Sequence, residues 1–271
     1  MPAANTTIST GTKQVIKKKA GPPRKTDQLT AKNFIAQLRL LARAKDAAAM
    51  QRYFKTGKGE YGEGDIFLGV RTPVLYALVK AFAAMPINEI EKLLVSRYHE
   101  ARAGAVHIMD KAARNKKTSA ERRKALFDLF MRRLDRINNW DLVDIGCLHM
   151  TGMYLIDKPR KILYTLAASR NLWKRRVAMV STCYFIRQGQ LTDCFAIATL
   201  LLHDKEDLIH KAVGWMLRMA GNKDVKQLLS FLDAHATYMP RTMLRYSMEK
   251  LDAKQRSYYL SLKHTITSKK D

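Results

Sequence analysis

A tryptophan and an aspartate four residues apart are the pair in this sequence best suited to chemistry. The segment NNWDLVD at residues 138–144 holds Trp140 and Asp144, which share one face if the segment is helical. Asn139 is a favoured N-cap, so we predict a helix from there to about residue 156. Its predicted core stripe, on a different face, consists of Leu142, Ile145, His149 and Met153. The helix dipole favours the ionised carboxylate, and since a carboxylate is unfavourable for holding phosphates in so basic a chain, chemistry would explain its presence. The alternative is an acid that merely complements the dipole or pairs with an arginine.

A second tryptophan lies among cations. The apolar stripe of a helix predicted over residues 206–220 consists of Ile209, Val213, Met216 and Ala220. At ~100° per residue, Trp215 lies about 130° from the centre of that stripe, on the same side as Lys211 and Arg218. We therefore predict an exposed aromatic ring in a basic surface. The alternative is a helix that packs on two sides, with Trp215 in a second core face.

The third tryptophan is predicted to be a packing residue. In a helix predicted over residues 170–187, Trp173 joins Val177, Val180 and Tyr184 in one apolar stripe. Arg176 lies on the shoulder of this stripe, from which a guanidinium could reach a phosphate. The alternative is a solvated arginine.

Other chemical motifs are absent from the sequence. The seven histidines form no HxxxH or HExxH pair, no GxSxG nucleophile motif occurs, and the glycine-rich stretch at residues 56–72 contains no P-loop. Cys147, Cys183 and Cys194 form no CxxC pair, which is typical of a reduced intracellular protein. We predict no cofactor and no metal. The longest apolar run, residues 195–202, is too short to span a membrane, and no secretory signal is visible at the start.

Positive charge dominates the 271-residue chain, whose formal net charge is +25. Residues 1–30 contribute +5 and residues 263–271 contribute +2, which leaves +18 between them. The folded part is therefore basic itself, and nucleic acid is the polyanion that such a domain most often meets. Residues 1–29, with their KKK cluster and GPPRK breaker, are predicted to be a flexible basic arm.

Helices must position these residues, because Gly and Pro together make up only about 7% of the chain. Thr30 is a predicted N-cap, and Pro73 is predicted to open a helix after the glycine-rich connection. Breaks are predicted near residues 85–86, 116–118, 157–159, 188–190, 203–205, 221–223 and 239–240. Apolar anchors recur every 31 to 37 residues, at Val106, Val143, Val177, Val213 and Leu244. This spacing predicts an all-α, HEAT-like helical-repeat solenoid with a concave basic face.

The chain resembles the AlkD-like DNA alkylation repair glycosylases over roughly residues 33–260. The motifs that carry the resemblance are FLGVRTP at 67–73, NNWDLVD at 138–144, NLWKRRVAMVS at 171–181, KAVGWMLR at 211–218 and MPRTMLRYSMEKL at 239–251. The resemblance implies a HEAT-like solenoid that binds DNA on a concave basic face. The predicted organisation is thus a basic arm at 1–29, a repeat glycosylase domain at 30–262 and a basic tail at 263–271.

The resemblance also implies an activity, the excision of cationic N3- and N7-alkylpurines such as 3-methyladenine and 7-methylguanine from duplex DNA. By the same resemblance, Asp144 is the catalytic aspartate, Trp140 and Trp215 contact the DNA, and Arg176 is the catalytic-site arginine. The family is thought to act without drawing the base into a pocket, and a solenoid face is expected to offer no deep one. No lysine stands out as a Schiff-base former, so the expected product is an abasic site.

The remaining predicted contacts to DNA come from basic side chains. The predicted DNA-binding residues are Arg218, Lys211, Arg175, Arg241 and Arg245. Arg175 rather than Arg176 is the residue expected to face the DNA if the alignment of these two arginines with the family motif is off by one. The expected partner is double-stranded DNA carrying alkylated purines, with no membrane or metal, and the protein is expected to be a monomer in the bacterial cytoplasm, associated with the nucleoid. The competing hypothesis is a non-catalytic helical-repeat scaffold that binds nucleic acid or protein.

Overall fold

Fourteen α-helices make up most of residues 28–262, the part of the chain that this computed structural model describes. Helices α1 to α14 span Ala31–Leu40, Ala44–Tyr53, Thr72–Ala81, Ile87–Leu94, His99–Arg114, Ala120–Arg132, Trp140–Gly146, Lys161–Ala167, Leu172–Arg187, Thr192–Leu200, Asp207–Gly221, Val225–His235, Arg241–Ser247 and Ala253–Ser261. A 3₁₀ turn, Leu134–Arg136, precedes α7, and a π-helical segment, Cys147–Met153, continues it. Residues 28–262 contain no β-strand, only one isolated parallel bridge between Ile66 and Tyr98. The predicted arm and tail, apart from residues 28 and 29, lie outside the described residues.

The helices form two layers of an α-helical repeat solenoid. Helices α3, α5, α7, α9, α11 and α13 pack one on the next, and α4, α6, α8, α10 and α12 cover them from one side. The five predicted anchors are fully buried, one in each of α5, α7, α9, α11 and α13. The repeat that they define is confirmed, because each anchor is the core residue of one helix of the stacked layer.

The predicted helix boundaries are confirmed where a local signal exists. The hydroxyl of Thr30 accepts the backbone N–H of Asn33 at 3.2 Å, and Pro73 lies in the first turn of α3. All seven predicted breaks fall between helices. The turn at residues 95–98, between α4 and α5, contains no Gly or Pro and was not predicted.

The predicted core stripe of the helix after Asn139 is wrong beyond its first residue. Leu142 is buried, but Ile145, His149 and Met153 are only half-buried. The residues that the core takes are Val143, Gly146, Cys147, Met150 and Thr151. For His149 and Met153 the cause is the π-helical segment after Gly146, because its wider turn shifts the buried face away from a 3.6-residue period.

The sequence predicts no membrane span and no metal site for the whole chain, whereas the structure describes residues 28–262. Within residues 28–262, no helix is long and apolar enough to cross a membrane. The same residues contain no cluster of three or more His, Cys, Asp or Glu side chains arranged to hold a metal ion.

Candidate functional site

An open cavity of about 640 Å³ adjoins the two residues that the sequence singles out for chemistry. Helices α2, α3, α5 and α7 and the connection between α2 and α3 form its walls. Trp140 and Asp144 both line it, so the structure brings them to one face as predicted. The solenoid face was expected to offer no deep pocket, and what the structure has there is this open cavity. The α2–α3 connection contributes Phe54, Phe67 and Arg71 to its wall.

A column of stacked rings supports Trp140. Phe54 stacks on the indole with ring centroids 5.3 Å apart, and Phe67 stacks on Phe54 at 4.9 Å. The imidazole of His99 continues the column, 4.5 Å from Phe67 at an interplanar angle of 22°. Tyr53 meets Trp140 edge-on at 5.8 Å. The indole is therefore held by Phe54 on one face and by Tyr53 at an edge, and it also lines the cavity.

His99 joins two carboxylates beneath this column. Its Nδ1 lies 3.0 Å from Asp65 Oδ2, and its Nε2 lies 2.8 Å from Asp141 Oδ2. Burial alone would lower the pKa of His99, but the charges and hydrogen bonds of Asp141 and Asp65 raise it to about 9. At neutral pH the ring is thus an imidazolium that donates from both nitrogens. Asp141 is the second residue of α7, so the clamp fixes the helix start that carries Trp140.

Asp65 is the centre of a buried charge network. Arg102 donates to its Oδ1 at 2.5 Å, and the side-chain amides of Asn138 and Asn139 donate at 3.1 and 3.2 Å. Burial works against the charged form, yet His99 and these donors lower the pKa of Asp65 to about 2. The oxygen of the Asn139 side chain accepts the N–H of Trp140 at 2.8 Å, which confirms Asn139 as the N-cap.

The α2–α3 connection is tied to α5 by a carboxylate. Glu100 is buried and accepts the backbone N–H groups of Leu68, Gly69 and Val70 at 2.7 to 3.2 Å. Gly62 packs so closely on the end of α2 that an added Cβ would lie 2.3 Å from the Phe54 carbonyl oxygen, and that Cβ would also lie 3.4 Å from the side-chain amide nitrogen of Asn139. This connection therefore does more than join two helices, because it holds the ring column against α7.

Asp144 is held by a bidentate arginine. Arg176 donates Nε to Oδ1 at 3.0 Å and Nη2 to Oδ2 at 2.8 Å. Burial raises the pKa of Asp144, while the charge and hydrogen bonds of Arg176 act against this rise. The aspartate side chain keeps 22% of its surface exposed, whereas that of the arginine keeps 6%. The carboxylate is thus fixed in orientation and still open toward the cavity.

The expectation that Arg176 grips a phosphate does not fit its surroundings. Its third nitrogen, Nη1, donates to the carbonyl of Leu208 at 2.6 Å, so α7, α9 and the start of α11 share one guanidinium. The side chain is buried and its donors are engaged within the protein. Its position on the shoulder of α9 faces Asp144 rather than solvent. Arg176 positions the carboxylate in this structure.

Comparison with known proteins supports this fold and identifies a family. The family model described as DNA alkylation repair enzyme matches residues 34–251. The chain belongs to the DNA alkylation repair enzyme family. The solved structure of a predicted DNA alkylation repair enzyme from Enterococcus faecalis matches with a TM-score of 0.62 and 18% identity, covering 78% of this chain and 97% of that one. At that identity the likeness shows the fold alone. No curated protein matches the sequence.

The basic residues predicted for DNA binding in this DNA alkylation repair family member differ in how they are engaged. Arg175 forms an ion pair with Asp204 at 2.5 Å and also donates to the carbonyls of Ser169 and Arg170, so it is tied into the fold. Lys211 pairs with Asp207 at 2.7 Å, and Arg218 pairs with Glu249. The exposed residues are Arg241, which donates to the Leu260 carbonyl at 3.2 Å, and Arg245.

The other two tryptophans differ in burial. Trp173 is 8% exposed and contacts Tyr61 edge-on at 6.1 Å, which confirms the prediction of a packing residue. Trp215 is half-buried and packs against the core, so it is less exposed than predicted. It does not line the cavity beside Trp140. Its position on α11 follows from a helix that packs on both α9 and α13.

Sequence reasoning did not identify the residues that support the site. These are Phe54, Asp65, Phe67, His99, Asp141 and, through Asp65, Arg102. One signal was present: His99, Glu100 and Arg102 open a helix whose other residues are mostly small or apolar. Charged residues on a helix that is buried on all sides need partners. That rule indicates a polar network, although it does not identify the partners.

Proposed function

We propose that this DNA alkylation repair enzyme is a monofunctional glycosylase that hydrolyses the N-glycosidic bond of N3- and N7-alkylated purines in duplex DNA. The observation that carries the proposal is the orientation of Asp144, held by Arg176 next to Trp140 on the wall of an open cavity. In a domain of such positive charge, an oriented and accessible carboxylate is unfavourable for holding phosphates. A cationic transition state explains its presence.

The reaction needs little acid catalysis, because an alkylated purine already carries a positive charge. The bond from C1′ to the base breaks, its electron pair neutralises the base, and the sugar gains oxocarbenium character. The carboxylate of Asp144 stabilises that cation and orients a water. The water oxygen bonds to C1′ and loses one proton, which leaves an abasic site. Without a Schiff-base lysine, the strand stays intact.

Asp144 can serve as an anion while bound to Arg176. Each carboxylate oxygen has two lone pairs, and the bidentate pair uses one on each. The second lone pair on each oxygen remains available to bind a water or to stabilise the sugar cation. The guanidinium favours the charged form of Asp144, although burial raises its pKa. Trp140 adds the electron-rich surface of its indole, which favours a cation nearby.

Binding to duplex DNA follows from the charge of the domain. We assign the predicted concave basic face to the side of the stacked helix layer on which the cavity opens. Arg241 and Arg245 are exposed and are candidates for phosphate contacts, and Lys211 and Arg218 can exchange exposed carboxylate partners for phosphate. The repeat domain at residues 30–262 is proposed to act as a monomer, without metal or cofactor.

The alternative is a scaffold without chemistry, and one observation favours it. Asp144 pairs with an arginine, which is the purely structural role that the sequence also allowed. A structural ion pair and a catalytic carboxylate differ in one measurable way. Only the second makes base release depend on the negative charge.

Release of methylated base from a defined duplex under single-turnover conditions tests the proposal. Asp144→Asn keeps the shape and removes the charge, so DNA binding should hold or tighten. Excision of 7-methylguanine should fall at least ~10²-fold, about 2.7 kcal/mol of transition-state stabilisation. The loss should be smaller for the more labile 3-methyladenine. Asp135→Asn, at an exposed position, is the matched control. Absence of excision by the unaltered protein would leave the scaffold as the function.

A further inference from the structure

A histidine in the π-helical segment is paired with a carboxylate of α5, and the proposed reaction gives this pair no role. Nδ1 of His149 lies 2.7 Å from Oδ1 of Asp110, and the other carboxylate oxygen lies 3.2 Å from Nε of Arg114. The imidazole also meets the ring of Tyr184 on α9 edge-on, with centroids 6.4 Å apart. Neither member of the pair lines the cavity beside Trp140.

The pair lies on the side of the stacked helix layer on which the cavity opens. On α5, Ala103 and His107 line the cavity, and Asp110 follows on the same face one turn later. On α7, Ile145 lines the cavity, and His149 follows one turn later in the π-helical segment. The imidazole bridges α5 and α9 within the stacked layer and keeps 21% of its surface exposed. DNA bound along this side would therefore pass over His149.

The π-helical segment Cys147–Met153 explains the position of the histidine. A regular α-helix predicts His149 in the core stripe, whereas the wider turn leaves it half-buried beside Asp110. Segments of this kind are rare and occur frequently at functional sites. The backbone irregularity and the polar pair are two separate observations at one place.

Protonation of His149 decides what this site can bind. Within the described residues, its Nε2 atom has no hydrogen-bond partner. Asp110 accepts the proton on Nδ1, so in the neutral ring Nε2 is an acceptor and cannot donate to a phosphate. A second proton makes Nε2 a donor and changes the net charge of His149, Asp110 and Arg114 from zero to +1.

The other charged or titratable groups around the pair come from the helices packed on this segment. On α5, His107 lies near Asp110, and burial lowers the pKa of His107, so it is neutral at neutral pH. On α9, Tyr184 faces the imidazole, and Arg187 follows one turn later and is exposed. On α7, the nearest carboxylate is already paired with an arginine of α9, and α6 belongs to the covering layer. A phosphate at this point thus gains most from a proton on His149.

We propose that His149 and Asp110 form a binding site for a phosphate of the DNA backbone, and that the imidazole takes up a proton when the phosphate binds. The proposal rests on duplex binding in the proposed function and adds to it a residue and a proton. Nε2–H donates to a phosphate oxygen, while Asp110 keeps the proton on Nδ1. The proton comes from solvent, so the affinity for duplex DNA falls as pH rises.

His149→Asn tests the site, because the amide can still donate to Asp110 but offers nothing in place of Nε2. Undamaged duplex is titrated at pH 6 and pH 8.5 at constant ionic strength. Over this interval the unaltered protein should lose at least ~10-fold more affinity than the variant. His203→Asn, at an exposed position, is the matched control and should keep the full pH dependence.

Calorimetry supplies a second readout that a purely structural histidine would not move. Binding heats measured at pH 7 in two buffers of different ionisation enthalpy give the number of protons taken up. The unaltered protein and His203→Asn should take up the same fraction of a proton, and His149→Asn should take up less. Equal uptake in all three proteins would overturn the proposal.

Asp110→Asn covers the case in which His149→Asn folds poorly. This substitution removes a negative charge and releases Arg114. At pH 8.5 it should tighten duplex binding at least ~3-fold, whereas a damaged fold would weaken binding. It should also lower proton uptake, because no carboxylate then stabilises the imidazolium. Weaker binding together with unchanged uptake would contradict the proposal.

The outcomes separate this site from the glycosylase function. If the unaltered protein excises 7-methylguanine and His149→Asn keeps the full pH dependence of binding, the phosphate site is overturned and the glycosylase function stands. If the unaltered protein excises nothing but His149→Asn loses the pH-dependent part of binding, the glycosylase function fails and the phosphate site stands. If the unaltered protein binds no duplex at either pH, both fail.

Discussion

Trp140 and Trp215 were both predicted to lie off the core stripes of their helices, but the structure surrounds the two rings differently. Trp140 belongs to a column of rings from α2, the α2–α3 connection and α5, above a buried network of charges. Trp215 is half-buried against the core, and the cations near it on α11 pair with carboxylates at the surface. The first region is assembled from four separate segments, whereas the second depends mainly on α11 and the helices beside it.

The two regions differ in the ion pairs that they contain, which are buried beside Trp140 and exposed beside Trp215. Breaking a buried pair such as that of Arg176 leaves an uncompensated charge and costs about 3–5 kcal/mol. Exposed pairs contribute ~0–1 kcal/mol, so a phosphate can replace their carboxylates. Lys211 and Arg218 keep 42% and 22% of their side chains exposed. We therefore propose that the cavity region positions the reacting groups and that the region around α11 and α13 binds the DNA backbone.

The largest expected effect is on the free energy of unfolding, in which the buried Trp173 should differ from the half-buried Trp215. Trp173→Ala should lower the free energy of unfolding by about 3–5 kcal/mol, because the ring is nearly fully buried. Trp215→Ala should lower it by only about half as much and should reduce excision about 10-fold, because part of the ring is left to contact DNA. Thermal and chemical denaturation of both variants measure the first effect. A larger stability loss at Trp215 would contradict the contrast.

The His99 clamp should make the cavity region sensitive to alkaline pH. Its pKa is near 9 when folded and ~6.5 when unfolded, so its contribution is complete below pH 6.5 and is lost as pH rises through 9. The partners that face it are Asp65 and Asp141, with Arg102 behind Asp65. That contribution is on the order of 3 kcal/mol. It should be absent from a His99→Gln variant.

Melting temperatures from pH 6 to pH 10 measure this dependence. The unaltered protein should melt well above the His99→Gln variant at pH 6, and the gap should close toward pH 10. Lysines and tyrosines that titrate near pH 10 affect both proteins alike. A gap that stays constant with pH would show that His99 contributes packing rather than charge.

The two regions also differ in how much of them could be predicted. The repeat, the helix breaks and Trp173 were predictable because 3.6-residue periodicity and turn residues are local signals. The partners of His99 lie 34 and 42 residues away along the chain, so no spacing rule reveals them. The core stripe predicted beyond α7 was wrong at His149 and Met153 because the π-helical segment changes the period. Trp140 and Asp144 were predicted to share a face because four residues separate them before that segment begins.

A smaller effect tests how closely the α2–α3 connection must pack. Gly62→Ala should cost about 1–3 kcal/mol, since its Cβ would meet a backbone carbonyl that cannot easily move. Gly189→Ala is the control from the other region. Gly189 has a φ of +78° and open space around its Cβ position, so alanine there costs only about 1–2 kcal/mol of backbone strain. Gly62→Ala alone should also reduce excision, because it displaces the ring column behind Trp140.

The smallest expected effect concerns salt dependence at the region around α11 and α13. Arg245 is exposed, and among the described residues it forms no ion pair, whereas Arg218 is paired with Glu249. Each phosphate contact contributes about −0.9 to the slope of log K against log salt for duplex DNA. Arg245→Ala should therefore flatten the slope by about 0.9 if its guanidinium contacts phosphate. Arg218→Ala should flatten it less, because the free protein already pairs that cation and binding must first displace Glu249.

Titrations of undamaged duplex at several salt concentrations measure both slopes. Equal slopes in the two variants would show that the surface pair costs nothing to exchange, and an unchanged slope in both would place the DNA away from α11 and α13.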